Sequence, residues 1–264
     1  MDDNNDDSTV YALIAPGSEI AGSAAGAAIG LLGGPVGSVV GSALGPILIR
    51  VFRKACISLH NRIQGDRDRI RAGAAVAIAI TQINDKLKCG SKLRHDGFFD
   101  AMSARPPAAE ILEGVIIKSR DEHEERKARF YANIFTTAAF DARFTPDSIN
   151  YALKTAGQLT YRQLGLLQLC AAPKVYKLRS GSYSEECDLS LETVAVLAEV
   201  FELYQRSLLL CRIDDEGNLK ALLALQDVDP ESMYLAEYGE QLHQLMQLDG
   251  FDRNDLSQIA KALQ

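Results

Sequence analysis

Between Ile20 and Ile49 the sequence reads IAGSAAGAAIGLLGGPVGSVVGSALGPILI, a run of 30 residues without a charged side chain. As an α-helix this run would be roughly 45 Å long, against about 30 Å for the hydrocarbon core of a bilayer. The run is therefore long enough to cross a membrane, even when tilted. We expect residues 20–49 to form a transmembrane segment.

Glycine recurs in this segment every fourth residue, in two series that each lie on one face of a helix. Each glycine costs a water-exposed helix about 1 kcal/mol relative to alanine. In lipid, however, small residues allow helices to approach each other closely. We therefore expect a glycine zipper that forms an assembly or a pore. Its expected positions are Gly22, Gly26, Gly30, Gly34, Gly37, Gly41 and Gly45.

The middle of the segment, Gly33-Gly34-Pro35, leaves two backbone shapes open. Proline removes one helical hydrogen bond and the glycines permit a bend. The segment is then either one kinked span or a hairpin of two pieces of roughly 20 Å each. Irregular backbone at membrane depth must be buried in protein or face water, so both shapes favour an assembly. A glycine-rich hairpin inside a soluble protein is the alternative.

The charges around the segment are strongly segregated. Residues 1–19 carry five acidic and no basic side chains, whereas residues 50–95 carry 11 basic and three acidic ones. Lysine and arginine are enriched on the cytoplasmic side of transmembrane segments. We therefore expect the N-terminus to lie outside the cell and the bulk of the chain to be cytoplasmic.

Acidic side chains before the segment would lie at the outer end of a pore. In an assembly around an axis they would form a ring, and such rings favour cations. The residues of this acidic mouth are Asp2, Asp3, Asp6, Asp7 and Glu19. A solvated acidic tail without a role is the alternative.

Residues 50–144 are expected to form a basic collar and a helical cytosolic region, in a fold that is mainly α. The uncharged residues 72–84 are too few for a second span and predict part of a buried helix that ends near Gly90. Pro106-Pro107 predicts the start of a long helix. Its charged stretch, Lys118 to Arg129, is typical of a solvated helix face.

Residues 145–264 are expected to form a second cytosolic module. Thr145 and Thr160 each predict the N-cap of a helix, and a further helix is predicted from about Ser190 to Gln205. Apolar stretches on both sides of a glycine turn predict a hairpin between Ser207 and Leu225. The order helix, helix, hairpin, helix resembles a winged-helix module.

A basic loop with interleaved tyrosines follows the second of these helices. Single-stranded nucleic acids are bound by cations on their phosphates and by aromatic rings on their bases. The candidate ligand-binding residues are Lys174, Tyr176, Lys177, Arg179 and Tyr183. An ordinary basic loop is the alternative. Duplex binding by the module is disfavoured, because glutamates on the helix that would enter the groove repel phosphates.

The sequence contains no enzyme signature: it has no P-loop, no GxGxxG, no GxSxG and no metal-ligand spacing. His123-Glu124 begins an HExxH pattern, but Lys127 occupies the position of the second histidine. We therefore expect neither catalysis, nor a cofactor, nor a bound metal.

The acidic start MDDNNDD, the glycine-repeat segment, the basic collar and the helical cytosolic part together resemble the Hailong transmembrane effectors of bacterial anti-phage defence. The resemblance is one of layout over the whole chain. It implies a homo-oligomeric ion channel in the bacterial inner membrane, for which a tetramer is one candidate size. Single-stranded oligodeoxyadenylate, made by a partner nucleotidyltransferase, would hold this channel shut.

In such a system, loss of the ligand during infection opens the channel and depolarises the cell, which is abortive infection. The alternative function is a membrane-tethered binding or regulatory module, in which residues 20–49 are only an anchor.

Overall fold

A computed structural model describes residues 45–60, 65–100, 105–172, 175–186, 188–211 and 221–264. These residues are mainly α-helical, which confirms the predicted fold class at that level. They divide into two compact units, with the division between Gln158 and Leu159. No helix within these ranges combines the length and the apolar character that a membrane crossing requires. Residues 1–44, with most of the predicted transmembrane segment, lie outside the described residues.

The first unit is a helical bundle. Its described helices are α1 (Pro46–His60), α2 (Asp66–Lys88), α3 (Pro107–Asp121), α4 (Ala128–Phe140) and α5 (Pro146–Ala156). Helix α2 packs against α3 and α4, α1 packs against α3, and α5 packs against both α3 and α4. The aromatic residues Phe130, Tyr131 and Phe135 of α4 are fully buried and form much of the core.

Helix α2 confirms the prediction of a buried helix that ends near Gly90. Residues 74–77 of α2 are completely buried. The chain leaves the helix through Gly90, whose φ of +86° lies in the left-handed region that favours glycine. The alanine-rich sequence therefore serves close helix packing inside the unit.

Helix α1 takes up the last four residues of the predicted transmembrane segment. Residues 46–49 form its first turn, and Leu48 is fully buried. One turn later, the ring of Phe52 contacts Phe135 edge to face, at 5.7 Å between ring centres. The end of the apolar run therefore packs against the bundle.

The prediction of one continuous long helix from Pro106-Pro107 across Lys118 to Arg129 is wrong at its centre. Helix α3 ends at Asp121, a 3-10 turn occupies Glu125–Lys127, and α4 begins at Ala128. Glu122 has an extended backbone (φ −80°, ψ 124°), and its carboxylate accepts the N–H of Glu124. The helix is interrupted here because the side chain of Glu122 is turned into the protein, where it has several partners.

The second unit is built around α6 (Tyr161–Ala171). Its other described elements are α7 (Leu191–Gln205), β1 (Leu209–Cys211), β2 (Met233–Leu235), α8 (Glu237–Met246) and α9 (Arg253–Lys261). Helices α7, α8 and α9 and strand β2 all pack against α6.

The predicted helix starts are confirmed. Side-chain oxygens of Thr145, Thr160 and Ser190 each accept a backbone N–H of the helix that follows, at distances of 3.0–3.2 Å. However, α5, the helix that Thr145 caps, packs in the first unit. The boundary between the units therefore lies at residues 158/159 and differs from the expected 144/145.

The prediction of the second hairpin strand is wrong. Strand β1 pairs antiparallel with β2, with Leu209 opposite Leu235. Residues 221–224 are irregular instead, because the carboxylate of Asp227 accepts the N–H groups of Leu223 and Ala224 at 2.9 and 2.8 Å and starts a 3-10 turn. The predicted turn lies within residues 212–220, which are outside the described residues.

Candidate functional site

Arg179, a predicted ligand-binding residue, is used within the second unit. Its backbone N–H donates to the carbonyl of Leu263 at 2.8 Å, and its carbonyl accepts the N–H of Glu231 at 3.1 Å. Its guanidinium is ion-paired with Glu186 and lies over the ring of Tyr183, 4.5 Å from the ring centre. A phosphate that binds this guanidinium would compete with Glu186.

The ring of Tyr183, predicted to stack on a base, is buried and is not placed for stacking in the described structure. The side chain is only 2% exposed, and its backbone N–H donates to the carbonyl of Gln226. Burial also raises the pKa of its hydroxyl. Base stacking requires an accessible ring face, and Arg179 lies over this ring. A cation near a tyrosine in the sequence therefore reflects an internal cation–π contact here.

Two predicted ligand residues of the loop remain accessible. Lys177 is exposed and Tyr176 is half-buried, while Lys174 lies outside the described residues. At the next turn, Gly181 has a φ of +87° and donates its N–H to the carboxylate of Asp229 at 3.1 Å. In the described part of the loop, Lys177 is thus an exposed cation.

A buried ion pair lies at the break between α3 and α4. The ammonium of Lys127 contacts the carboxylate of Glu122, and these residues are 2% and 7% exposed. The hydroxyl of Tyr131 donates to the same carboxylate at 2.7 Å. The prediction that Lys118 to Arg129 form a solvated face is therefore wrong at its centre.

The pKa of Glu122 is set by two opposing effects. Burial acts to raise it, but hydrogen bonds from Lys127 and Tyr131 outweigh burial and hold the pKa below the ordinary value of a glutamate. Burial, followed by the neighbouring Glu122, raises the pKa of Tyr131. At neutral pH the carboxylate of Glu122 therefore stays ionised and the phenol of Tyr131 stays protonated. Together with Lys127, these side chains are suited to stabilising the interruption between α3 and α4.

The side chains of Glu122, His123 and Glu124 offer one ligand atom each within 4.8 Å of one another. Glu122 is already neutralised by Lys127, and His123 is turned outward with 88% of its side chain exposed. A metal ion here would stand next to the Lys127 ammonium, which repels it. Glu122, His123 and Glu124 are therefore not proposed as a metal site.

The predicted basic collar consists of two parts that differ in their partners. On α2, Arg67 and Arg71 both pair with Glu125, and Arg71 does so at 3.0 Å. On α1, Arg50 and Arg53 are exposed and make no ion pair within the described ranges. Arg67 and Arg71 therefore hold the 3-10 turn, whereas Arg50 and Arg53 are available to a partner.

The acidic mouth and the first six of the seven predicted zipper glycines lie outside the described residues. Gly45 is described: its carbonyl accepts the N–H of Ile49 at 3.2 Å, and the space around it is open. It precedes α1 at the surface of the first unit, so no close helix approach occurs at Gly45 within the described chain.

Comparisons with models of protein families, with curated proteins and with solved structures find no match to this chain.

Proposed function

We propose that this chain is a homo-oligomeric membrane ion channel of bacterial anti-phage defence, in which residues 20–45 of several copies form the pore. The observation that carries this proposal is the join between the apolar run and α1. No acidic side chain occurs between Ile20 and Gly65, and the run leads directly into a helix with an exposed basic face. This order suits a segment that enters the inner membrane from the cytoplasmic side.

The glycine content favours a pore over a plain anchor. A single anchoring helix gains nothing from repeated glycines, which lower helix stability. Glycines on one face allow close contact between neighbouring helices. A bent segment at Gly34-Pro35 also needs neighbours or water around its irregular backbone. In this proposal the acidic N-terminus lies at the outer mouth, and the two described units lie in the cytoplasm.

The cytosolic units would bind the gating ligand, for which single-stranded oligodeoxyadenylate from a partner nucleotidyltransferase is the candidate. A winged-helix-like arrangement of the second unit is part of this proposal, supported by the order helix, helix, two-stranded sheet, helix. Of the loop residues, Lys174, Tyr176 and Lys177 are the ones proposed to contact ligand. The chain itself is proposed to be non-catalytic.

The ligand proposal predicts different results for the two cations of the loop. Lys177→Ala should weaken oligodeoxyadenylate binding and make it less salt-dependent, because one phosphate contact is lost. Arg179→Ala should instead speed hydrogen exchange in the loop from Ser182 to Glu186, since the guanidinium of Arg179 contacts the carbonyl of Ser182, the ring of Tyr183 and the carboxylate of Glu186. Titration by fluorescence anisotropy at several salt concentrations measures the first effect. Equal binding by wild type and Lys177→Ala would contradict the assignment of the loop.

The second candidate function is a membrane-tethered module in which the apolar run is only an anchor. The two candidates are separated by replacing residues 20–44 with a leucine-alanine helix of equal length, which spares α1. The pore proposal expects the variant to remain in the membrane but to lose depolarisation of cells that express it without the ligand-producing partner. Depolarisation is followed with a potential-sensitive dye. If the variant depolarises cells as wild type does, residues 20–44 do not form the pore.

A further inference from the structure

Helix α1 has two chemically distinct faces. The apolar face, which includes Leu48 and Phe52, is buried in the first unit. The opposite face contains Ile47, Arg50 and Lys54, at spacings of three and four residues, with Arg53 beside them. Ile47 is 47% exposed although it is apolar. Because its apolar face is already used in the core, α1 presents cations with an apolar edge to its surroundings.

The cations of this face have no counter-charge within the described chain. Helix α1 contains no acidic residue. Most arginines elsewhere in the described chain behave differently. Ion pairs are made by Arg67, Arg71, Arg94, Arg105, Arg120, Arg143, Arg162, Arg179 and Arg206. On this face of α1, by contrast, Arg50, Arg53 and Lys54 lie together without an ion pair within the described residues.

We propose that the basic face of α1, formed by Ile47, Arg50, Arg53 and Lys54, binds the anionic headgroups of the lipid bilayer. This inference rests on the proposed membrane location of residues 20–45. At 1.5 Å per residue, Arg50 and Lys54 lie roughly 7 and 13 Å along the helix from Gly45. Arg50 is thus within about one Debye length of the end of the apolar run, where headgroup charges act strongly. Ile47, nearest the run, suits the boundary between headgroups and acyl chains.

The chemistry of this face favours lipid over nucleic acid. Binding of single strands relies on accessible aromatic rings beside the cations. The aromatic ring that α1 contributes, Phe52, is completely buried. A bilayer needs only cations at the right depth, each of which strengthens association with an anionic surface by about fivefold.

The test uses the full chain reconstituted in phosphatidylcholine vesicles that contain a trace of spin-labelled lipid. Wild type should immobilise labelled phosphatidylglycerol about fivefold more strongly than labelled phosphatidylcholine, and high salt should remove the preference. The variant Arg50→Gln/Arg53→Gln/Lys54→Gln should show no preference. Glutamine and the replaced residues have similar helix propensities, so the variant should keep its fold. Hydrogen exchange checks this.

The matched control is Lys88→Gln/Lys92→Gln/Lys154→Gln, which removes three exposed cations elsewhere in the first unit and should keep the preference. Equal immobilisation of both lipids by wild type, or an unchanged preference in the α1 variant, would overturn the inference. So would displacement of the labelled phosphatidylglycerol by an oligonucleotide that binds α1. If wild type inserts and conducts ions without a lipid preference, only this inference fails; if it does not insert, the proposed function fails with it.

Discussion

Replacing Lys127 by methionine is expected to lower the free energy of unfolding of the first unit by about 3 kcal/mol, the lower end of the range for removing one partner of a buried ion pair. Methionine fills a similar volume, so packing changes little. The carboxylate of Glu122 remains buried without its cation, while keeping the hydroxyl of Tyr131. Hydrogen exchange of the α4 amides during denaturant titration measures the loss, because α4 begins directly after Lys127.

The double variant Lys127→Met/Glu122→Gln should recover most of this loss, since neither buried charge remains. In the single variant, Lys127 no longer helps to offset burial, so the pKa of Glu122 should rise. The cost of Lys127→Met should therefore be largest at neutral pH and shrink on acidification. In wild type, Glu122 instead stabilises the fold at neutral pH. This stabilisation is present above the ordinary carboxyl pKa of about 4.3 and is lost as the pH falls through the lowered pKa of Glu122.

An exposed ion pair provides the comparison. Arg143→Met removes the partner of Asp141 at the surface of the same unit, where Arg143 has 76% of its side chain exposed. Exposed pairs contribute little, so this variant should unfold like wild type. Equal stabilities of Lys127→Met and Arg143→Met would show that the Glu122–Lys127 pair does not hold the break between α3 and α4.

Gly239→Ala should destabilise the second unit by about 3 kcal/mol or more, because a backbone atom lies where the new methyl group would be. A Cβ at position 239 would stand 1.9 Å from the carbonyl oxygen of Leu208. That oxygen also accepts the N–H of Ala236 at 3.1 Å. It cannot move away without disturbing the start of α8 and the pairing of β1 with β2.

The effect of Gly239→Ala is measured as loss of protection from hydrogen exchange in β1, β2 and α8. The matched control is Gly250→Ala, where no atom lies within 4 Å of the new Cβ. The control should change the free energy of unfolding by less than about 0.5 kcal/mol, as surface substitutions usually do. A Gly239→Ala protein as stable as the control would mean that α8 does not pack this closely against residue 208.

Local signals predicted the helices well. The N-caps at Thr145, Thr160 and Ser190 depend only on a side-chain oxygen and a backbone N–H three residues later, so they are visible in the sequence. The buried α2 also follows from its own composition. By contrast, β1 pairs with residues 233–235 through a tertiary contact. No local pattern identifies that partner, and the nearer stretch ending at Leu225 had a similar composition.

The charged clusters were harder to predict, because the sequence does not show which charges are buried. Lys127 and Glu122 are five residues apart, a spacing at which side chains of a continuous helix do not face each other. Their contact exists only because the helix is interrupted between them. Likewise, Arg179 beside Tyr183 has the composition of a ligand loop, but the two stack on each other inside the unit. The lack of ion pairs on the basic face of α1 within the described residues likewise depends on tertiary contacts, which the sequence does not show.

Ion flux through liposomes that contain only the purified chain tests the proposed channel most directly. Wild type should dissipate a potassium gradient, and single-stranded oligodeoxyadenylate should slow the dissipation. Gly26→Leu should float with the vesicles but pass far fewer ions, because a bulky residue prevents the close helix contact that the zipper requires. Wild-type protein that is well incorporated and yet gives no flux above protein-free vesicles would contradict the account.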